Sequence, residues 1–318
     1  MSTTAFKCPC CGAELTFSSQ SQKMTCEYCG TELDVEAVNA LSSAEPSSTD
    51  MEWSDHSDTT VDMDGDICTY TCSSCGAEVT GDKSLGATYC PYCGNPTVVP
   101  GQFSGALKPD FVLPFKLSKE DAVAALKNHY KGKPLLPKAF TNGNHIEKIQ
   151  GVYVPFWMFD GQAEGTVDYE GLIHHEYETS DYEVTETEHY DVHRGGSISF
   201  EKVPVDASSK MPDDHMDSIE PYDYTDLKPF STAYLPGFLA DKYDVSVEDS
   251  HDRADGRCAA SLESALRRTA EQYDSCIPLR QDIRLRRGKV HYALLPVWML
   301  HTKWNGKDFL FAMNGQTG

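Results

Sequence analysis

Residues 8–30, CPCCGAELTFSSQSQKMTCEYCG, and residues 72–94, CSSCGAEVTGDKSLGATYCPYCG, decide how the first third of this chain folds. Cys8 and Cys11 are followed, after fourteen residues, by Cys26 and Cys29; Cys72 and Cys75 are followed at the same spacing by Cys90 and Cys93. The second set repeats the first at one constant offset, Cys8 to Cys72, Cys11 to Cys75, Cys26 to Cys90 and Cys29 to Cys93. A C-x2-C turn brings two thiolates to within about 4 Å, and two such turns close an all-sulfur tetrahedron around Zn2+ with bonds of about 2.3 Å. Gly12, Gly30, Gly76 and Gly94 each follow the second cysteine of a pair, where a tight turn takes positive φ. Two copies agreeing in spacing and in the following glycine predict two zinc ribbons, with Cys8, Cys11, Cys26 and Cys29 holding one Zn2+ and Cys72, Cys75, Cys90 and Cys93 the other. Disulfides are the alternative use of such cysteines. They need an oxidising compartment, and the N-terminus carries no charged-then-apolar leader.

A closed four-cysteine shell leaves no coordination position for water or substrate, so both predicted zinc ions are structural. Ribbons of about twenty residues have little core, and metal binding on the order of 10–16 kcal/mol would supply much of their folding energy. Cys10 sits inside the first pair and leaves a choice of ligand. Cys8 and Cys11 are favoured because Ser74 replaces Cys10 in the second copy. Cys10, Cys68, Cys258 and Cys276 then read as ordinary reduced thiols.

The chain has 318 residues, room for two or three domains, with 40% hydrophobic content and a net charge of −22. Residues 1–100 hold 15 Asp/Glu against Lys7, Lys23 and Lys83. A ribbon that binds nucleic acid needs a basic face to displace counterions from phosphates, so nucleic acid is a poor partner for this one. The longest uncharged apolar run, Ala293 to Leu300, has eight residues and contains Pro296, too short to span a bilayer.

Asp34 to Leu41 predicts a short helix capped by Asp34. Residues 42–66 are rich in Ser, Thr, Asp and Glu and read as a solvated linker. The run from Asp62 to Asp66 has a calcium-loop flavour, but Ile67 stands where the turn glycine belongs and Ser73 where the bidentate Glu belongs. Further on, Ser118 to Asp121 forms a capping box, with Ala122, Val123, Leu126 and Tyr130 as the helix stripe and Gly132 as its stop. Strand VPFWM (154–158) follows. A second such unit follows later: a helix carrying Leu262, Ala265, Leu266, Ala270 and Tyr273, then strand LPVWM (295–299). Pro155 and Pro296, Trp157 and Trp298, and Met158 and Met299 keep one constant offset, which predicts an internal duplication. Each internal proline predicts an edge strand or a bulge. Between the halves, Tyr182–Val192 and Gly196–Val205 alternate with the strand period and predict antiparallel strands with a wet acidic face. Met211 to Ile219 predicts a short helix with Pro212 in its first turn.

The expected fold class is therefore α+β: two N-terminal rubredoxin-like ribbons and a mixed α+β body with antiparallel sheet. Ribbon 1 takes 1–36, an acidic linker 37–66, ribbon 2 67–100 and the body 101–318. The body's repeat halves lie at about 110–160 and 228–318, around an acidic insertion at about 161–227.

No catalytic motif is present. His189 and His193 share a strand face but are about 13 Å apart, too far to share an ion. His174 and His175 sit near Glu176 without an H-E-x-x-H spacing. Phosphate-loop, dinucleotide-loop and nucleophile-elbow patterns are all missing. Arg280, Arg284, Arg286, Arg287 and Lys289 form one basic strand in an acidic chain, a solvated face or a contact for anionic lipid or an acidic partner.

These residues resemble the bacterial TFIIB-type zinc-ribbon-containing family. The resemblance is carried by both ribbons, by VPFWM and LPVWM, by PVDASSKMPDDHMDSIEPYDY (204–224), by KPFSTAYLPGFLADKYDV (228–245) and by the closing FAMNGQTG. It implies a continuation into a hydrophobic membrane anchor, a location at the cytoplasmic face of the cell membrane, and adaptor work beside membrane-associated scaffold proteins in envelope maintenance or stress. Asn314-Gly315 reads as a hairpin turn cut off before its partner strand, as in a soluble truncation. The leading expectation is a non-enzymatic zinc-binding adaptor with protein partners. The alternatives are a transcription- or helicase-like nucleic-acid protein and an enzyme with an unrecognised site in the body.

Overall fold

A computed structural model describes residues 6–42, 67–71, 78–82, 85–89, 96–98 and 108–318, and the fold is α+β with mixed sheets. The chain divides into two compact units built from interleaved segments. Met1–Phe156, Asp206–Asp244 and Tyr292–Gly318 make the first; Trp157–Val205 and Val245–His291 make the second.

Short alternating runs between the first cysteines form β1 (Leu15–Ser18), β2 (Lys23–Cys26) and β3 (Glu32–Leu33), an antiparallel sheet in the order β1-β2-β3. Leu15, Phe17, Met24 and Cys26 all point to its buried face. Helix α1 (Val35–Ser42) follows and buries Val35 and Val38; it extends into the stretch expected as linker. Strands β4 (Ile67–Thr71) and β5 (Glu78–Asp82) pair antiparallel, as do β6 (Leu85–Tyr89) and β7 (Pro96–Val98).

The larger sheet contains β8 (Phe111–Val112), β9 (Gln150–Glu178), β11 (Lys228–Pro229), β12 (Leu239–Asp241) and β13 (Ser275–Trp304), in the order β11-β8-β13-β9-β12-β6-β7. Strand β10 (Glu183–Asp206) pairs with β9, and β14 (Lys307–Asn314) pairs with β13. Within the first unit, Phe111 and Val112 of β8 run parallel to Ala293 and Leu294 of β13, and Leu239 and Ala240 of β12 run parallel to Val152 and Tyr153 of β9. The two pairings are the same arrangement made twice: Val152 and Tyr153 correspond to Ala293 and Leu294 at the offset of the prolines, and Phe111 and Val112 to Leu239 and Ala240 at a slightly shorter one. The helix caps keep the shorter offset: Ser118 with Asp121 opens α2 (Lys119–Tyr130), and Ser246 with Asp249 opens the long helix α6 (Val247–Arg268). The short helices α3 (Lys138–Thr141), α4 (Gly143–Ile146) and α5 (Asp213–Ser218) fall between them.

The VPFWM and LPVWM strands lie at the centre of this sheet, not at an edge. Their prolines are accommodated because the parallel partners are so short: pairing reaches only Tyr153 on β9 and Leu294 on β13. Neither short strand therefore extends to the missing N–H of Pro155 or Pro296. Both proline carbonyls are still used, by Ala207 N–H at 2.9 Å and Gly315 N–H at 2.9 Å. Around them Phe115 stacks on Phe238 with centroids 4.1 Å apart and planes 3° off parallel, flanked by Tyr153 and Trp298.

In the second unit, α6 lays Leu262 and Leu266 against Ala163, Val167, Tyr169 and Val192 of the long strands, with Ala270 just beyond its end. The stripe begins earlier than expected, at Ser250 and Ala254, in a stretch too polar to read as helix from its pattern. The two strands expected at Tyr182–Val192 and Gly196–Val205 form one continuous strand, β10. Gly195 and Gly196 do not take positive φ, so no turn separates them.

The hairpin expected at Asn314-Gly315 is displaced. The turn lies at Asn305 and Gly306 (φ 49° and 72°), and β14 returns along β13 with Val297 opposite Asn314. Asn314 is buried; its amide donates to the carbonyls of Ile219 at 2.9 Å and Pro221 at 3.2 Å. A Cβ on Gly315 would meet the Phe115 ring at 2.6 Å, so that glycine answers to packing rather than to a turn. No helix among the described residues is long and apolar enough to cross a membrane.

Candidate metal centre

Two knuckles of the same design build the site. In the first, Cys8 N–H donates to the Ala13 carbonyl at 2.6 Å and Gly12 N–H donates to the Cys8 carbonyl at 2.8 Å. In the second, Cys26 N–H donates to the Thr31 carbonyl and Gly30 N–H to the Cys26 carbonyl, both at 2.9 Å. Gly12 and Gly30 take φ of +76° and +71°, the left-handed conformation that the spacing predicted. Each turn thus aims two sulfurs at a common point.

That point is shared by all four cysteines. The Sγ atoms of Cys8 and Cys29 are 3.6 Å apart, those of Cys11 and Cys26 3.5 Å, and all four ligand atoms lie within 4.8 Å of one another. Sulfurs on a tetrahedron with 2.3 Å bonds stand about 3.8 Å apart, so the set fits a tetrahedral metal. The same separations exceed the disulfide bond length of about 2.05 Å, and all four thiols are free. Cys10 is exposed and lies outside the cluster, which gathers Cys8 and Cys11 with Cys26 and Cys29.

Electrostatics separates Cys8, Cys11 and Cys29. The Thr31 hydroxyl, 3.0 Å from Cys29 Sγ, and the Thr31 N–H hold the Cys29 thiol down at about 6. The Ala13 N–H pulls Cys11 down, but the Cys29 sulfur and burial outweigh it and leave Cys11 at about 12. Burial pushes Cys8 up, while the N–H groups of Cys10 and Cys11 bring it below the ordinary range. Four bare thiolates repel one another; a divalent cation lets all of them ionise together.

The module is seated within its unit rather than hanging from it. Phe17 packs edge-on against Tyr234 at 5.2 Å, Phe17 N–H donates to the Pro236 carbonyl, and the Gln22 amide donates to the Phe115 carbonyl at 2.6 Å. Nothing in the sequence pointed to this anchoring beyond a large aromatic on a four-residue strand.

Cys72, Cys75, Cys90 and Cys93 lie outside the described residues. Two of the first module's registers recur in the described strands around them at the offset that relates the two cysteine sets, whereas β5 pairs with β4 and β6 with β12 and β7. Lys7 bridges Glu14 in the first module, and the corresponding Thr71 pairs with Glu78 in the second. Thr25 pairs with Glu32 and Met24 with Leu33; their counterparts Tyr89 and Thr88 pair with Pro96 and Thr97.

The other sequence candidates stay apart. His189 Nδ1 sits 2.8 Å from Glu170 and His193 Nδ1 2.5 Å from Asp168, two separate exposed pairs. His174 contacts Thr187 and His175 approaches Glu188 at 3.7 Å. Among the described residues only the Cys8–Cys29 set gathers as a metal-ligand group. The basic strand is partly neutralised: Arg287 pairs with Asp255 at 2.6 Å, Arg284 with Asp282 at 3.4 Å and Arg286 with Glu164 at 3.8 Å. Arg287 belongs to a cavity of about 250 Å³ that sequence reading missed, where α6 also brings His251, Asp255 and Cys258. Their spacing of four and then three along one helix face was the available signal. Burial, followed by Asp255, pushes the Cys258 thiol up, the opposite of an activated nucleophile.

No family model matches the chain, and no solved structure matches it. The uncharacterized protein YdjG of Bacillus subtilis (strain 168) is 35% identical over 314 residues, covering 99% of this chain and 88% of the relative. With a likeness of that depth along nearly its whole length, the chain belongs to the family of YdjG.

Proposed function

We propose that this protein is a non-enzymatic adaptor whose N-terminal modules are zinc ribbons, held by Cys8, Cys11, Cys26 and Cys29 and by Cys72, Cys75, Cys90 and Cys93. The observation that carries the reading is the closed set of four sulfurs within 4.8 Å. Soft thiolates select zinc among the common divalent ions, and four of them leave no open position for chemistry. The two strand registers that recur in the second module support a second site of the same kind. The repeated parallel pairing, β8 with β13 and β12 with β9, supports reading the body as a diverged duplication.

An acidic chain with Lys23 tied to Asp34 at 3.4 Å gives the first ribbon little to offer a phosphate backbone. The test is affinity capture with the full chain, zinc-loaded, beside Cys8→Ser and Cys72→Ser variants. A protein recovered by the parent and lost with either variant supports the adaptor role. Recovery indifferent to both variants, or tight salt-sensitive oligonucleotide binding, defeats it.

A further inference from the structure

At the tip of the β13–β14 hairpin this acidic protein gathers exposed apolar side chains and lysines. Trp304 and Phe309 are 38% and 39% exposed, and they cluster with Phe140, whose ring centroid lies 6.3 Å from that of Trp304 and 5.3 Å from that of Phe309. Leu135, from the loop between α2 and α3, stands 95% exposed beside them, and the group lines an open groove of about 450 Å³. Monomeric proteins seldom leave such apolar surface bare without a use for it. Lys131, Lys133, Lys138 and Lys307 surround it, all exposed. From Lys127 to Lys148 the chain carries five lysines and a single acid, Glu147, within a protein of net charge −22.

We propose that this tip docks on an anionic phospholipid surface, with Trp304, Phe309 and Leu135 entering the headgroup–acyl boundary and the lysines lying over lipid phosphates. The local charge selects an anionic occupant and opposes a second copy of the same patch. The cations are all lysine: residues 127–148 and 301–318 contain no arginine, so the forked donor that reads nucleic-acid phosphates and bases bidentately is missing. Point-charge lysines on apolar stems, with an indole flanking a two-residue turn and a phenyl close behind it, suit a diffuse charged interface. The inference rests on neither the zinc assignment nor the adaptor reading.

The experiment is co-sedimentation of the full, metal-loaded chain with vesicles of phosphatidylcholine alone or with three-tenths phosphatidylglycerol. Expected is binding to the anionic vesicles only, weakened by high salt, with a blue shift of tryptophan emission in a Trp53→Phe background, where Trp157 and Trp298 are already buried. Leu135→Asp, at a side chain almost free of contacts, should abolish binding with the melting temperature unchanged. Removing Lys131, Lys133 and Lys138 should cost about fivefold in partitioning for each lysine. No binding, equal binding to both vesicles, or Leu135→Asp binding like the parent overturns the proposal. So does loss, in the same variant, of a dimer or of oligonucleotide binding, which would give the patch to another occupant.

Discussion

Phe17 meets Tyr234 edge-on, with ring centroids 5.2 Å apart, and through this contact the first cysteine module is built into the larger fold. Phe17 is 5% exposed and Tyr234 7%, so the rings form a small shared core. Removing the Phe17 ring should destabilise the first unit by about 3 kcal/mol, the low end of Phe→Ala costs in cores. Urea denaturation of Phe17→Ala checks this. Bound metal should be unchanged, because no sulfur moves. A variant with parental stability would mean that the module is merely tethered.

The cap of α2 offers a pH test. The Ser118 hydroxyl and N–H both donate to Asp121 Oδ2, at 2.7 and 2.9 Å, and hold its carboxyl below the usual range. A folded-state value below the unfolded one, about 3.9, means that the contribution is present above that pH and is lost as pH falls through the folded value. Asp121→Asn should therefore unfold at lower urea than the parent at pH 7, with the two converging as pH falls below about 4. A gap that persists far below that pH would show that charge is not the cause.

Asn314 distinguishes the observed hairpin from the expected one. Its buried amide serves two carbonyls, those of Ile219 and Pro221, so Asn314→Ala should cost about 1–3 kcal/mol for acceptors left unsatisfied. Asn305→Gly, at the actual turn, should be nearly neutral because glycine takes its positive φ. Thermal melts of both variants decide; the reverse ranking would restore the turn to Asn314.

What could be read from the sequence was local. The spacing of Cys8, Cys11, Cys26 and Cys29, the glycines after them and the box at Ser118 each concern residues within a few turns of one another. The constant offset that relates Pro155 to Pro296 was legible too, yet its geometry was not. Proline chemistry argued for an edge or a bulge, whereas these strands sit centrally, beside β8 and β12, which stop before the prolines. The alternation over Tyr182–Val192 and Gly196–Val205 predicts two strands, yet pairing along β9 carries the chain through Gly195 and Gly196 as one. The first half of α6 hid because Ser250 and Ala254 are buried by small size and position rather than by apolar character. Contacts such as Phe17 with Tyr234, which join distant parts of the chain, leave no periodic trace.

The most direct test is metal analysis of the purified full chain, joined to X-ray absorption at the zinc edge. The account predicts two zinc ions per chain, each with four sulfurs at about 2.3 Å. It further predicts one ion lost in Cys8→Ser and none in Cys10→Ser, since Cys10 stands outside the cluster. Iron in place of zinc, nitrogen or oxygen in the shell, or a Cys8→Ser protein that keeps both ions would contradict it.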